Sequence, residues 1–173
     1  MAVSALPTWH QANLQYLLAS LHRVSQALAD YITRLQSSPI QIPSAPQLAP
    51  EALAVLQNNP STLDQLCNLF NLAGFERDIL LLCAGMELNP YFEELCTKAQ
   101  GSLKRNYPTL GLALSIFPEI NWRIFSSKSP LQTWNLLEIE QGQTLTKSPI
   151  RINSRIFCYL LGEPCEDDDL IGI

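Results

Sequence analysis

The sequence predicts a mainly α-helical protein, a helical bundle followed by a smaller unit that contains a β-hairpin. Apolar residues recur at steps of three and four along most of the 173 residues, which is typical of helices packed on a core. Between about residues 131 and 152 the period changes toward alternation, which is typical of strands. The hydrophobic content of 47% is high enough for a real core and excludes extended disorder.

Residues 1–36 are predicted to hold one long amphipathic helix, beginning near Gln11. Its aliphatic residues form a stripe, and its Asn, Ser, Gln and Arg residues are expected to face water. A stripe of this size must pack against something, either the helices that follow or another chain. The candidate partner-docking positions are Leu14, Leu17, Leu21 and Leu28, and the stripe continues through Leu18, Val24, Ile32 and Leu35.

A proline-rich linker is predicted at 37–50 and a helical subdomain at 51–107. Ser61 is expected to cap one of its helices and Gly74 to end that helix. The next segment, Phe75 to Leu88, is apolar nearly all round and is predicted to be the buried helix. Its acidic residues Glu76 and Asp78, like Glu93 and Glu94, are expected to be solvated surface.

Residues 108–162 are predicted to form a separate subdomain, and 163–173 an acidic tail at the end of an excised fragment. The predicted elements are helices at 109–117 and 121–125, strands within 131–140 and 144–152 joined by a turn at 141–143, and a last helix at 154–161 that Gly162 ends. Helix, helix, strand, turn, strand is the order of a winged helix. The sequence therefore predicts a winged-helix-like unit here.

No catalytic, cofactor-binding or metal-binding residue is predicted. The phosphate-binding pattern G-x-x-x-x-G-K-[ST] and the hydrolase patterns G-x-S-x-G and H-E-x-x-H are absent from the sequence. His10 and His22 lie far from any cysteine pair, so a zinc site is not expected. The five cysteines are expected to be buried thiols of a cytoplasmic protein. No apolar run reaches the roughly 18 residues of a membrane span, and no signal peptide is evident.

Basic residues are concentrated in one part of an acidic chain whose net charge is −5. Residues 101–160 hold seven basic and three acidic side chains. The possible nucleic-acid contacts among them are Arg123, Lys128, Lys147 and Arg151. Because the basic excess is small, and because a dedicated DNA reader is usually strongly basic, we expect a solvated face rather than a nucleic-acid interface.

Four segments resemble one family. The run at 66–90, LCNLFNLAGFERDILLLCAGMELNP, is followed by PTLGLALSIF at 108–117, SPLQTWNLLEIE at 129–140 and SPIRINSRIFCYLLGE at 148–163. Together they resemble the N-terminal helical and winged-helix region of bacterial AAA-type ATPases, including the kind found with phage-tail-like contractile injection systems. The resemblance implies an ATPase domain that binds ATP and Mg²⁺ outside this chain, because neither Walker motif nor an arginine finger occurs here.

The leading prediction is therefore a non-catalytic interaction or regulatory region of an AAA-type ATPase. It would contact partner or substrate proteins, its own ATPase domain or neighbouring subunits. Two alternatives stay open: a winged-helix module that binds nucleic acid, and a stand-alone structural adaptor. A steep salt dependence of duplex binding would favour the first alternative.

Overall fold

Helices dominate the structure and one short hairpin completes it, which confirms the predicted fold class. The computed structural model describes residues 7–37, 39–42, 47–117, 122–126, 128–140 and 144–163. The helices are α1 (Trp9–Gln36), α2 (Pro50–Asn58), α3 (Thr62–Leu69), α4 (Gly74–Leu88), α5 (Pro90–Gln100), α6 (Leu110–Ile116), a 3₁₀ turn (Trp122–Phe125), α7 (Pro130–Thr133) and α8 (Ser154–Leu161). The strands are β1 (Leu137–Ile139) and β2 (Ile150–Ile152), antiparallel, with Leu137 opposite Ile152 and Ile139 opposite Ile150.

Capping side chains set most helix starts. Thr8 and Gln11 form a reciprocal capping box at the start of α1. Ser61 accepts a hydrogen bond from the Asp64 backbone N–H, as predicted, and Asn153 caps α8 in the same way. Gly162 ends α8 in the left-handed conformation, which glycine adopts without steric cost. Local signals of this kind explain why the predicted helix bounds lie close to the observed ones.

Two local predictions were wrong. Gly74 does not end α3, because that helix stops at Leu69 and Gly74 is instead the first residue of α4. The hairpin strands are three residues each, since Pro130–Thr133 forms a helical turn and residues 145–147 form a turn rather than a strand. The predicted hairpin turn at 141–143 and residue 121, where the second predicted helix of this unit begins, lie outside the described residues.

Helix α1 packs along α2, α4 and α5, and its apolar stripe faces one continuous core. Leu17, Leu21 and Leu28 are buried, whereas Leu14 is 40% exposed. The structure therefore places three of the four candidate docking leucines inside the chain's own core. Leu18 and Leu35 are also exposed. Among the described residues, no helix is long and apolar enough to cross a membrane.

A buried polar cluster joins α1, α3 and α8. The side-chain amide of Asn13 donates to the Leu160 carbonyl over 3.1 Å, and its oxygen accepts the Thr62 backbone N–H over 2.8 Å. The Thr62 hydroxyl donates to the same Leu160 carbonyl over 2.8 Å. Asn13 is only 1% exposed, so the expectation that the polar residues of α1 face water was wrong for this residue, as it was for the buried Ser20 and Ser25. The cluster holds the last helix of the winged-helix unit against the first helix of the chain.

The packing of α4 on α5 leaves no room for a side chain at Gly85. A Cβ atom at this position would lie 2.4 Å from the nearest ring atom of Phe92, which is 1% exposed. We expect Gly85→Ala to lower the free energy of unfolding by about 1–3 kcal/mol, the usual cost of an overpacked core. Helix propensity alone predicts the opposite, a gain of about 1 kcal/mol for Ala over Gly. Urea denaturation measures the sign directly.

A smaller side chain at position 92, which faces Gly85, provides the control for this prediction. We expect Phe92→Leu in the Gly85→Ala background to recover part of the lost stability, because the leucine side chain vacates the ring positions that the Cβ atom would occupy. If the losses of stability caused by Gly85→Ala and by Phe92→Leu simply add in the double variant, the close approach of Gly85 and Phe92 is not the cause of the destabilisation.

Candidate interaction surfaces

A buried ion pair fastens the winged-helix unit to α4. Glu76 lies in the first turn of α4 and is fully buried, and its Oε1 accepts the Ala73 backbone N–H over 3.1 Å. The same oxygen accepts a hydrogen bond from the Arg123 guanidinium, while Ser129 Oγ lies 3.5 Å from Oε2. The Arg123 side chain is 40% exposed, so only the carboxylate is removed from water. The pair joins the start of α4 to the 3₁₀ turn and to the residue before α7.

The prediction that Glu76 is solvated surface is therefore wrong. Alanine at position 73 has no side-chain oxygen to cap α4, and Glu76 at the third helical position covers the Ala73 N–H instead. This places the carboxylate beneath the 3₁₀ turn, where Arg123 supplies the opposite charge. In the sequence, Glu76 and Asp78 are only two acids at spacing i,i+2, and the partner of Glu76, Arg123, lies 47 positions further along the chain.

The four basic residues proposed as nucleic-acid contacts differ in their surroundings. Arg123 is paired with Glu76. Lys128 is exposed in the turn before α7, and Lys147 is exposed in the turn before β2. Arg151 lies on β2 directly opposite Glu138 of β1. Two of the four thus lie against acidic residues, and a nucleic-acid role for the four stays a prediction.

Arg151 lies in surroundings that are acidic overall. It lines a cavity of about 340 Å³ together with Glu87, Glu93 and Glu140, so three carboxylates accompany one guanidinium. The potential around Arg151 is therefore set by the acids, which repel a phosphate. A wing that contacts DNA through this strand would have to overcome that repulsion.

The end of α3 carries exposed apolar side chains, and side chains from the segment after α7 and from α8 contact this part of the chain. Leu69 at the end of α3 is 74% exposed, and Trp134 after α7 is 59% exposed. The Trp134 ring packs on Phe70, with ring centroids 5.5 Å apart. Tyr159 of α8 donates to Gln65, one turn before Leu69 on α3, over 3.3 Å. We call the patch formed by Leu69, Phe70, Trp134 and Tyr159 the Trp134 surface.

The cysteines fall into two groups. Among the described residues, Cys67, Cys83 and Cys96 are free, and the last two are buried, as predicted. Burial raises the pKa of the Cys96 thiol to about 12 and that of Cys83 still further, so neither is ionised near neutral pH. Cys158 is disulfide-bonded, so the prediction of a free thiol was wrong at this position.

Residues 50–173 match the family described as "Winged helix domain, variant", and the chain belongs to that family. The match includes α2 to α5 as well as the predicted winged-helix-like region 108–162, so the family pattern is wider than the hairpin unit. Comparison with curated proteins and with solved structures gave no match.

Proposed function

We propose that the chain is a non-catalytic protein-interaction region in which the winged-helix domain binds protein rather than duplex DNA. The observation that carries this proposal is the distribution of side chains on the surface. Two of the proposed cationic contacts, Arg123 and Arg151, lie against acidic residues, whereas the exposed Trp134 packs on Phe70 beside the exposed Leu69 at the Trp134 surface.

Duplex binding depends on several cations that contact phosphates together. Each phosphate contact contributes through counterion release, and even 6–10 of them give a non-specific Kd of only about 10⁻⁴–10⁻⁶ M at physiological salt. Here Arg123 holds a buried carboxylate and Arg151 faces Glu138. Even all four proposed cations together would not reach that number of contacts.

The Trp134 surface has the composition of a protein interface. Tryptophan and tyrosine are the side chains most enriched at the energetic centres of protein–protein contacts. Leu69 and Trp134 are mostly exposed and both adjoin Phe70, and a contiguous exposed apolar patch is typical of an interaction site. Polar side chains such as Gln65 and Asn71 border the patch along the chain, as expected for the rim of an interface.

We further propose that this region belongs to an AAA-type ATPase and contacts its partners, its substrates or neighbouring subunits. The support is the sequence resemblance at 66–90, 108–117, 129–140 and 148–163, which the winged-helix family match overlaps. Under this proposal the chain itself performs no catalysis, and ATP and Mg²⁺ bind elsewhere in the parent protein. A gene whose reading frame encodes this chain without any G-x-x-x-x-G-K-[ST] motif would contradict the proposal.

We expect no binding to a duplex of about 20 base pairs tighter than roughly 10⁻⁵ M in 150 mM salt. Fluorescence anisotropy with random and genomic sequences measures this Kd. Sub-micromolar affinity that Lys147→Gln or Arg151→Gln weakens would overturn the proposal and make nucleic-acid binding the leading function.

Protein binding is tested by placing a photo-crosslinking amino acid at position 69 of the chain in cells. We expect a discrete protein adduct that protease destroys and nuclease does not, because Leu69 lies at the Trp134 surface. The matched control is position 53 on α2, where Leu53 is also exposed at 45%. Equal adducts from both positions, or adducts that nuclease destroys, would contradict a protein-binding role for this surface.

A further inference from the structure

A second cavity, of about 290 Å³, lies between the end of α1, the end of α5, the start of α6 and the turn before β2. Arg105 and Lys147 line it, together with the hydroxyl-bearing rings of Tyr31 and Tyr107. Both basic residues are exposed, so their charged groups can reach a ligand from solvent. None of the described residues that line this cavity is acidic.

The backbone that carries the two cations is fixed from within the fold. Gln100 donates its side-chain amide to the carbonyls of Arg105 and Tyr107, over 2.9 and 2.8 Å. The Gly111 N–H donates to the Thr146 carbonyl over 3.0 Å, and a Cβ at Gly111 would lie 2.8 Å from that oxygen. This contact holds the 144–148 turn directly against α6. The cavity walls are therefore formed before any ligand arrives, which reduces the ordering cost of binding.

The two cavities differ in the charges of the residues that line them. The cavity that contains Arg151 is lined by Glu87, Glu93 and Glu140, whereas the cavity of Arg105 and Lys147 has cations without carboxylates. Because the whole chain carries a net charge of −5, an anion meets repulsion over much of the surface. The second cavity is a local exception to that repulsion.

We propose that this cavity binds an acidic side chain, with an adjoining apolar residue, from a segment of a partner protein. The proposal rests on the protein-binding function proposed above and names the chemistry that one of its sites recognises. Arg105 and Lys147 would hold the carboxylate, since guanidinium and ammonium groups make the strongest hydrogen bonds to it. Tyr31 and Tyr107, with the buried Leu112, supply an aromatic and apolar wall for the neighbouring residue.

A protein segment fits this cavity better than a nucleic acid does. The volume lies at the lower end of ligand pockets, which suits one or two side chains. A duplex instead needs a stripe of cations along its backbone, and the fold provides two here.

The test is a titration of the isotopically labelled 173-residue chain, followed by the chemical shifts of its backbone amides. The probe is the peptide acetyl-Phe-Glu-Glu-amide, and acetyl-Phe-Gln-Gln-amide is its neutral counterpart. We expect the acidic peptide to shift the amides of 105–111 and 144–148 saturably, with a Kd in the range of about 1 mM. The double variant Arg105→Gln/Lys147→Gln should weaken this binding at least about tenfold, while Lys128→Gln, an exposed lysine outside the cavity, should not.

Three outcomes would overturn the proposal. One is the absence of saturable shifts up to about 20 mM acidic peptide. The second is equal binding of the neutral peptide. The third is tighter binding, at the same amides, of a single-stranded oligonucleotide of matched charge. The first two results, together with specific crosslinks at position 69, would reject only this site, whereas tight duplex binding would reject the proposed function as well.

Discussion

Replacing Leu21 and Leu28 together by Asp is expected to unfold the protein. Leu28 is fully buried and Leu21 is 4% exposed, both on the face of α1 that packs on the core. Each leucine contributes about 1.5–3 kcal/mol by its burial, and each unpaired carboxylate in the core costs several kcal/mol more. The sum is comparable to the whole stability of a domain, about 5–15 kcal/mol. Circular dichroism should show loss of the cooperative thermal transition.

The same helix provides the control. Leu14 and Leu18 lie one helical turn apart on α1, and their side chains are 40% and 37% exposed. We expect Leu14→Asp/Leu18→Asp to retain a cooperative transition, because partly exposed positions usually change stability by only a few tenths of a kcal/mol to about 1 kcal/mol. If the Leu21/Leu28 double variant melts like the parent protein, α1 does not dock on this core.

Arg123→Ala is expected to lower the free energy of unfolding by about 2–4 kcal/mol. Glu76 is 0% exposed, so removal of its cationic partner leaves a carboxylate without a counter-charge in the interior. The value lies below the upper end for buried pairs, because Arg123 is 40% exposed and water can enter after its removal. Urea denaturation of the variant measures the loss.

A double-mutant cycle separates the pair from its environment. We expect Glu76→Leu in the Arg123→Ala background to be less destabilising than the sum of the single changes, because the double variant buries no unpaired charge. Lys128→Ala, at a nearby exposed cation, should change stability by less than about 0.5 kcal/mol. Additive single effects would mean that Glu76 and Arg123 do not interact energetically.

The sequence was sufficient to predict the helix starts and ends that depend on neighbouring residues. Pro50 at the start of α2, Asn89 before α5 and Asn153 before α8 mark helix starts through backbone chemistry that lies within four residues. Gly101 and Gly162 mark ends because both adopt positive φ angles. The fold class and the helix order follow from such signals together with the apolar period.

The sequence was insufficient where the partner is distant. Glu76 and Arg123 are 47 positions apart, and nothing in either local pattern shows that they meet. For a similar reason, the predicted apolar stripe of α1 included leucines that the structure leaves exposed. Leu14 and Leu18 each follow a buried residue, Asn13 and Leu17, and one residue turns a helix by about 100°. Which side of a broad stripe is covered depends on where the neighbouring helices lie.

The surfaces were the least predictable part. Seven basic residues within 101–160 form one cluster along the sequence. The fold places four of them in three different settings: a buried ion pair for Arg123, an acid-lined cavity for Arg151, and a cavity without acids for Arg105 and Lys147. The Trp134 surface combines α3, the segment after α7, and α8, which are separated by tens of residues. Only the tertiary structure brings these positions together.

The Asn13 cluster also sets an order of events during synthesis on the ribosome. The acceptor for the Asn13 amide is 147 residues further along the chain, which is about 7–30 s of translation at 5–20 residues per second. Helices α2, α4 and α5 emerge earlier and can cover the leucines of α1 while the chain is still growing. The nascent protein therefore carries a nearly closed bundle with one open polar position, and α8 completes it last.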